Sequence, residues 1–228
     1  MELIPIAIEG EIGEGADLAA IAVAACNLRD LDVLVVTQKV VSKAEGRVAR
    51  LADGDLDGFD ALVAGETRRV LRRRGRLAIT ETHHGFVCAN AGIDRSNAEP
   101  GTVTLLPTDP DRSARGIAAR IRHLAGVQVA VIVTDTFGRA WRRGLADVAI
   151  GAAGIRPIVD LRGTPDRNGR TLEVTEVCIA DEIAAAADLV KPKAGGVPMV
   201  VARGLPEAYF GAGSAADIVR PYAEDLFR

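Results

Sequence analysis

The sequence predicts an α+β fold with mixed sheets and two interlocked subdomains. Strand-like apolar runs occur both singly between helices and in adjacent groups, which favours this class over a clean parallel α/β sheet. The chain has 228 residues, 48% of them hydrophobic, which is ample for one cored domain and slightly long for a simple one. No Pro/Ser-rich linker divides it, so residues 1–228 are expected to form a single domain.

The N-terminal part alternates strands and helices. Asp17 is expected to cap a helix because the residues after it place apolar side chains on one face. The apolar run at 32–36 is typical of a strand covered on both sides. The predicted elements are a strand at 2–8, a glycine-rich loop at 10–15, a helix from 17 to 27, a strand at 32–36, a loop or broken element at 37–47, a helix at 59–74, and strands at 77–80 and 86–89.

The C-terminal part contains the strongest strand signal of the chain, at residues 127–133. An acidic start suits the dipole of the helix predicted at 180–189, where Asp181 and Glu182 stand. The other predicted elements are a helix at 109–124, weaker strands at 148–150 and 158–161, an extended segment at 171–178, a short strand at 199–202, and a closing helix at 215–227.

Composition excludes several function classes. A formal charge of -3 gives no electrostatic case for nucleic-acid binding. No apolar stretch approaches the roughly 20 residues that cross a bilayer, and the N-terminus lacks the features of a signal peptide. The three cysteines, at wide spacings, fit neither a disulfide framework nor a zinc site. We therefore expect a cytoplasmic protein that binds neither membranes nor nucleic acid.

Two aspartates follow strand-like apolar segments, and they are the strongest functional signal in the chain. Asp135 and Thr136 follow the run 131–133, and Asp94 lies in NAGIDRSN, just past residues 85–89. A charge at the end of a buried strand is costly unless it is paired, and a divalent cation with its phosphates is a suitable partner. Alternatively, Asp135 caps the turn into Phe137 and Asp94 forms a plain Asx turn.

Polar residues nearby are candidate nucleotide contacts. Asn97 could donate hydrogen bonds, and Lys43 could place a point charge on phosphate, although a solvated loop lysine is the alternative. Arg139, with its neighbours Arg142 and Arg143, could stabilise phosphoryl charge or simply be solvated. Neither a P-loop pattern nor a G-x-G-x-x-G fingerprint is present.

Six segments, taken together and in order, closely resemble the coenzyme F420-0:L-glutamate ligases, the γ-glutamyl ligases of deazaflavin coenzyme biosynthesis. They are VVSKAEGR (40–47), NAGIDRSN (90–97), LLPTDPDRSA (105–114), VIVTDTFGRAWRRG (131–144), ADEIAAAADL (180–189) and VPMVVARG (197–204). The resemblance spans nearly the whole chain and covers the ligase portion alone, without the flavin domain fused to it in some bacteria. It implies a fold of its own, neither Rossmann nor P-loop, in an intertwined homodimer.

The resemblance also implies an activity. GTP, the cosubstrate, would phosphorylate the terminal carboxylate of the F420-0 precursor, and the amine of L-glutamate would attack the acyl phosphate. The implied cofactors are one or two Mg²⁺ or Mn²⁺ ions per site, with a monovalent cation such as K⁺ as a further candidate. A metal-dependent phosphohydrolase and a GTP-binding module are the alternative functions.

Site residues follow from the same resemblance. Asp94 and Asp135 are implied as ligands of a first metal and as catalytic residues together with Arg139, and Thr136 is implied as a ligand of a second metal. The implied nucleotide contacts are Lys43 and Asn97, with Gln38, Glu11, Ile12, Gly13 and Glu14 as weaker ones.

The loop 191–196, KPKAGG, departs from the archaeal pattern. Archaeal members have an acidic glycine-rich loop there, which contributes a carboxylate to the second metal. Two outcomes remain open for this chain. Either the second metal site is altered, or Lys191 or Lys193 contacts phosphate directly.

Overall fold

The computed structural model describes residues 1–95, 101–192 and 195–227, and its architecture is α+β, as predicted. The strands are β1 (Glu2–Ile6), β2 (Val33–Thr37), β3 (Val48–Arg50), β4 (Thr67–Arg74), β5 (Leu77–Thr82), β6 (Val87–Ala89), β7 (Thr102–Thr104), β8 (Ala130–Arg139), β9 (Arg142–Ala153), β10 (Ile158–Asp160), β11 (Glu176–Cys178) and β12 (Met199–Arg203). The helices are α1 (Leu18–Ala25), α2 (Gln38–Ala44), α3 (Leu56–Glu66), α4 (Pro110–Ala125) and α5 (Ile179–Asp188).

A five-stranded sheet forms the centre of the molecule, in the order β1-β12-β2-β8-β9. β2 and β8 are parallel, and the other neighbours in this sheet are antiparallel. Helices α1 and α4 cover one face of the sheet, and α5 covers the other. The residues Val33 to Val36 are therefore fully buried, which explains the continuous apolar run of β2.

Three smaller sheets surround the central one. They are β4-β5-β6, β3-β7 and β10-β11. A separate apolar cluster joins Phe59 and Val63 of α3 to Ile93, Val103 and Leu105. This cluster supports the segment that contains Asp94. No helix among the described residues is long and apolar enough to cross a membrane.

Two helix-start aspartates bind the edge strand β9 of the central sheet. Asp181 of α5 accepts a hydrogen bond from the Ala149 amide at 2.8 Å, and Asp111 of α4 accepts one from the Ala152 amide at 2.7 Å. Unpaired amides at a sheet edge are costly when buried, so these carboxylates satisfy the edge and fix both helices against it. Asp181 was expected to interact with the dipole of its own helix, and it also accepts this hydrogen bond from the sheet.

Four secondary-structure predictions are corrected. Residues 67–74 form strand β4, because α3 ends at Glu66 and the chain then pairs with β5 around Gly75. Residues 38–44 form helix α2 rather than a loop. The weak strand at 148–150 is part of the long strand β9, whose partner β8 was predicted too short. The predicted closing helix is a pair of 3₁₀ turns separated by Pro221, whose ring is incompatible with a helix interior.

Gly151 of β9 is predicted to be intolerant of a side chain, whereas Gly116 of α4 should accept one. A Cβ on Gly151 would lie 2.4 Å from the carbonyl oxygen of Pro110, whereas one on Gly116 would meet no atom within 4 Å. We expect Gly151→Ala to lower the free energy of unfolding by about 1–3 kcal/mol. Gly116→Ala should raise it by about 0.5–1 kcal/mol, because alanine is the better helix former. Urea unfolding of both variants measures this, and equal effects would contradict the close packing of α4 on β9.

Candidate metal and nucleotide site

Asp135 lies where the parallel pairing of the central sheet stops. The last residue of β2, Thr37, pairs with Thr134, while β8 continues to Arg139 in a hairpin with β9. The prediction that Asp135 ends its strand is therefore corrected: the parallel partner ends there, and β8 does not. Asp135 is thereby placed at the open end of the sheet, beside the start of α2.

Asp94 approaches the same place from the β5–β6 side. Asn90, Ala91 and Gly92 all have positive φ values of 49°, 54° and 71°, which turn the chain sharply after β6. The side chain of Asn90 accepts a hydrogen bond from the Ala78 amide at 3.0 Å, which ties this turn to β5. Asp94 then exchanges two backbone hydrogen bonds of 2.9 Å with Thr104. The backbone of Asp94 is therefore held by Thr104, and the turn before it is held by β5.

Asp94 and Asp135, the aspartate pair, are close enough to influence each other's charge. Burial raises the pKa of the Asp135 carboxyl to about 7, and the negative charges of Asp94 and Asp147 add to this effect. The Thr136 amide, which donates to Asp135 Oδ1 at 2.8 Å, and the ammonium of Lys39 lower the pKa but do not outweigh the burial. The Asp135 carboxyl therefore binds its proton more tightly than an exposed aspartate does.

The donors of the aspartate pair fit a hard divalent cation. Mg²⁺ and Mn²⁺ prefer oxygen ligands, and nucleotide sites typically hold Mg²⁺ by one or two carboxylates and the phosphates. No group of three or more His, Cys, Asp or Glu residues suited to a metal occurs in the described ranges. Two carboxylates would leave most coordination positions to water and phosphate, which suits a metal that can also contact a bound nucleotide.

A second polar group lies beside the aspartate pair; its members, which we call the lysine cluster, are Thr134, Thr136, Asp147 and Lys191. The Lys191 ammonium lies 2.6 Å from Asp147 Oδ2 and 3.1 Å from Thr134 Oγ1. The Thr136 hydroxyl donates to Asp147 Oδ1 at 2.6 Å. Asp147 is 3% exposed and Lys191 is 6% exposed, so the ion pair is shielded from water.

Helix α2 contributes two further lysines. Lys39 forms an ion pair with Asp94 at 2.7 Å, and Lys43 forms one with Glu11 at 2.6 Å. Residues four apart share a helix face, so both ammonium groups lie on the same side of α2. The loop predicted to contact nucleotide therefore lies beside Lys43. Contacts of Lys43, Glu11, Ile12, Gly13 and Glu14 with a nucleotide stay predictions.

Sequence reasoning missed Lys39 and Asp147, although the sequence contains a signal for the lysines. The chain has four lysines, at positions 39, 43, 191 and 193, against 24 arginines. The three described lysines each pair with an acidic residue of the candidate site. Asp147 had no comparable signal, since its role depends on the register that sets it directly opposite Thr136.

Two predicted site residues, Gln38 and Arg139, are not brought to the aspartate pair, and a third cannot be placed. Gln38 is fully buried, and its amide nitrogen donates to the Leu105 carbonyl at 2.9 Å, so its side chain offers a nucleotide no surface. Arg139 lies at the exposed end of the hairpin and donates to the carbonyl of Arg143 at 2.9 Å. Asn97 lies outside the described residues.

Comparison with known proteins then decides the family. The family model described as F420-0:Gamma-glutamyl ligase matches residues 8–57 and 58–204, well over half of the chain. The chain belongs to this family. The resemblance seen in the motifs is thereby confirmed. The relatives are named as ligases and not as stand-alone binding modules.

Full-length relatives named Coenzyme F420:L-glutamate ligase support the same assignment. The Methanopyrus kandleri protein is 41% identical over 246 residues, covering 100% of this chain and 98% of the relative. The Archaeoglobus fulgidus protein is 42% identical over 243 residues, with coverages of 100% and 96%. The Methanothermobacter thermautotrophicus protein is 40% identical over 246 residues, with 98% of each chain covered. This member of the F420 ligase family therefore matches these relatives over nearly their full lengths.

The raised pKa of Asp135 predicts how stability depends on pH without metal. The folded chain binds the Asp135 proton more tightly than the unfolded chain, so the free energy of unfolding should fall as pH rises from about 4 to about 7. Asp135→Asn removes this dependence and should make the metal-free protein more stable than wild type by about 1–3 kcal/mol at about pH 8. Urea unfolding in EDTA measures the difference. Asp160→Asn, at an exposed ion pair, is the control, and a wild-type slope in Asp135→Asn would contradict the assignment.

Proposed function

We propose that this chain is a GTP-dependent ligase that joins L-glutamate to the F420-0 precursor through an acyl phosphate. The observation that carries the proposal is the aspartate pair, two neighbouring carboxylates at the open end of the central sheet, in a chain whose relatives are named Coenzyme F420:L-glutamate ligase. We propose the same chemistry for further additions, which would extend the product by γ-linked glutamates.

The chemistry explains why such a site is required. A carboxylate and an amine do not condense in water unaided, because the carboxylate oxygen is a poor leaving group. The terminal carboxylate oxygen of the precursor would attack the γ-phosphorus of GTP, with GDP leaving. The glutamate amine would then attack the acyl carbon, releasing phosphate and one proton and leaving an amide. Phosphoryl transfer of this kind depends mainly on positioning and on neutralising charge.

Asp94 and Asp135 are the residues that would hold a divalent cation, which when bound would neutralise charge on the phosphates. Lys39 holds the Asp94 carboxylate in place through its 2.7 Å ion pair. Lys43 is placed one helical turn away, where it could exchange Glu11 for a phosphate oxygen. Arg139 could act only if the hairpin approached a bound substrate, so its catalytic role remains a proposal.

Removal of either member of the aspartate pair is expected to abolish glutamate transfer. Asp94→Ala and Asp135→Ala should lower GTP-dependent product formation by about 10³-fold or more, because phosphate charge would no longer be neutralised. Mass spectrometry of the product measures this, since each added glutamate is directly countable. The control is Asp160→Ala, at an exposed ion pair with Arg162.

Two results would contradict this proposal in different ways. Near-normal turnover by either aspartate variant would remove the metal assignment. GTP hydrolysis that needs neither glutamate nor the precursor would instead favour a metal-dependent phosphohydrolase with the same two aspartates.

We also propose a homodimer, with the β8–β9 hairpin at its interface. The hairpin extends beyond the central sheet and exposes two large apolar side chains, Trp141 at 82% and Leu145 at 67%. The tilted rings of Trp141 and Phe227 contact each other with their centroids 5.1 Å apart, which enlarges this apolar surface. Exposed apolar surface of this kind is typical of protein–protein contacts.

The dimer proposal predicts that charge on the hairpin separates the two chains. Wild type should show twice the mass of one chain in light scattering, and the double variant Trp141→Glu with Leu145→Glu should show the mass of one. Val174→Glu, at another exposed apolar residue, should leave the dimer intact. A monomeric wild-type protein would overturn the proposal, as would a hairpin variant that stays dimeric.

A further inference from the structure

The aspartate pair and the lysine cluster belong to opposite faces of the central sheet. Successive side chains of a strand point to opposite faces. In β8, Val133 and Phe137 pack in the apolar core beside α1 and α4, and Asp135 shares their alternation. Thr134 and Thr136 follow the alternation of Ile132, which packs in the core beside α5. Asp135 therefore lies on the face covered by α1 and α4, whereas its neighbour Thr136 lies on the face covered by α5.

The hairpin register places Asp147 on the Thr136 side. Thr136 pairs directly with Asp147, and the two irregularities of the hairpin lie on either side of this pair, between Val133 and Thr134 and between Gly138 and Arg139. Directly opposite residues in an antiparallel pair project to the same face. Both oxygens of Asp147 are then used within the lysine cluster: Oδ1 accepts from Thr136, and Oδ2 accepts from Lys191 and, at 3.2 Å, from Thr134.

The two groups differ in their charge. Within the ranges that the structure describes, the three charged groups Asp94, Asp135 and Lys39 sum to one negative charge when both carboxyls are ionised. In the lysine cluster, one ammonium and one carboxylate cancel at 2.6 Å, and both are buried. A divalent cation on the Thr136 hydroxyl would lie close to the Lys191 ammonium in surroundings that screen charge weakly. It would also compete with that ammonium for the Asp147 carboxylate.

We propose that Lys191 is the fixed cation on the Thr136 side of the site, so that the chain binds one divalent cation, on Asp94 and Asp135, and none on Thr136. The inference rests on the metal site of the proposed function. It assigns Lys191 as a positioning residue, which acts on the site through Asp147 and Thr136. It also gives the KPKAGG loop a definite role, since its first lysine points inward as half of a buried ion pair.

Counting bound Mn²⁺ tests the inference without any measurement of activity. Mn²⁺ alone is titrated into the protein, and the unbound ion is measured by electron paramagnetic resonance. Wild type should hold one ion per chain. Thr136→Val, which keeps the shape of the side chain and removes the hydroxyl, should hold one ion with unchanged affinity. Two ions on wild type, or a weakened site in Thr136→Val, would overturn the inference.

Removing the ammonium should create a site that wild type lacks. Lys191→Met removes the ammonium that pairs with Asp147 and keeps the two threonine hydroxyls, so this variant should gain a second Mn²⁺. The double variant Lys191→Met with Asp147→Asn should return to one. A folded Lys191→Met protein that still holds one ion would overturn the inference. If that variant does not fold, the numbers of ions bound by wild type and by Thr136→Val test the inference instead.

Two further variants separate this inference from the proposed function. Arg203→Met removes the cation from another buried ion pair, with Asp32, at the far end of β2, and should leave the count at one. A second ion there would show that any unpaired buried acid gains Mn²⁺, which would overturn the special role of the lysine cluster. The variant Asp94→Asn with Asp135→Asn should bind none. If it retains one ion, the metal site of the proposed function fails.

Discussion

The candidate site depends on one constraint, which is that the Asp135 carboxylate, half-buried at the open end of the central sheet, is poorly hydrated when it is charged. Asp135 occupies that position because β2 ends at Thr37 while β8 continues past it. The helix that follows β2 immediately, α2, contributes the ammonium of Lys39, which contacts Asp94 and lowers the pKa of Asp135. Burial dominates nevertheless, so a cation bound at this carboxylate would favour its charged form.

The register of the β8–β9 pairing determines which side chains meet beside Asp135. A shift of the β8–β9 pairing by one residue would turn Asp147 away from Thr136 and leave Lys191 buried without a partner. Gly151 and the carboxylates of Asp111 and Asp181 fix that register, because helices α4 and α5 both begin against β9. Packing far from the aspartates therefore determines which side chains meet beside them.

The sequence predicted most of the central architecture, and it singled out Asp94 and Asp135, which the fold brings near each other. Buried strands such as β2 and β8, and capped helices such as α1 and α4, follow from local patterns. Strand β4 could not be recognised, since its arginine-rich residues are compatible with a helix and become a strand by pairing with β5. Gln38 was misjudged for a related reason, because its burial depends on Leu105, far away in the chain. Lys39 and Asp147 depend on the same kind of long-range contact.

The chain has 24 arginines and only four lysines, and this affects which side chains of the surface can be acylated. Arginine forms most of the ion pairs of the outer sheets and loops, while the described lysines lie around the site. Guanidinium groups resist acylation, whereas amines are readily modified. Apart from the N-terminus, amine-directed reagents and enzymatic acylation would thus address this protein at positions 39, 43, 191 and 193 alone. Among the described lysines, the partly exposed amines of Lys39 and Lys43 would therefore change their reactivity when a ligand occupies the site.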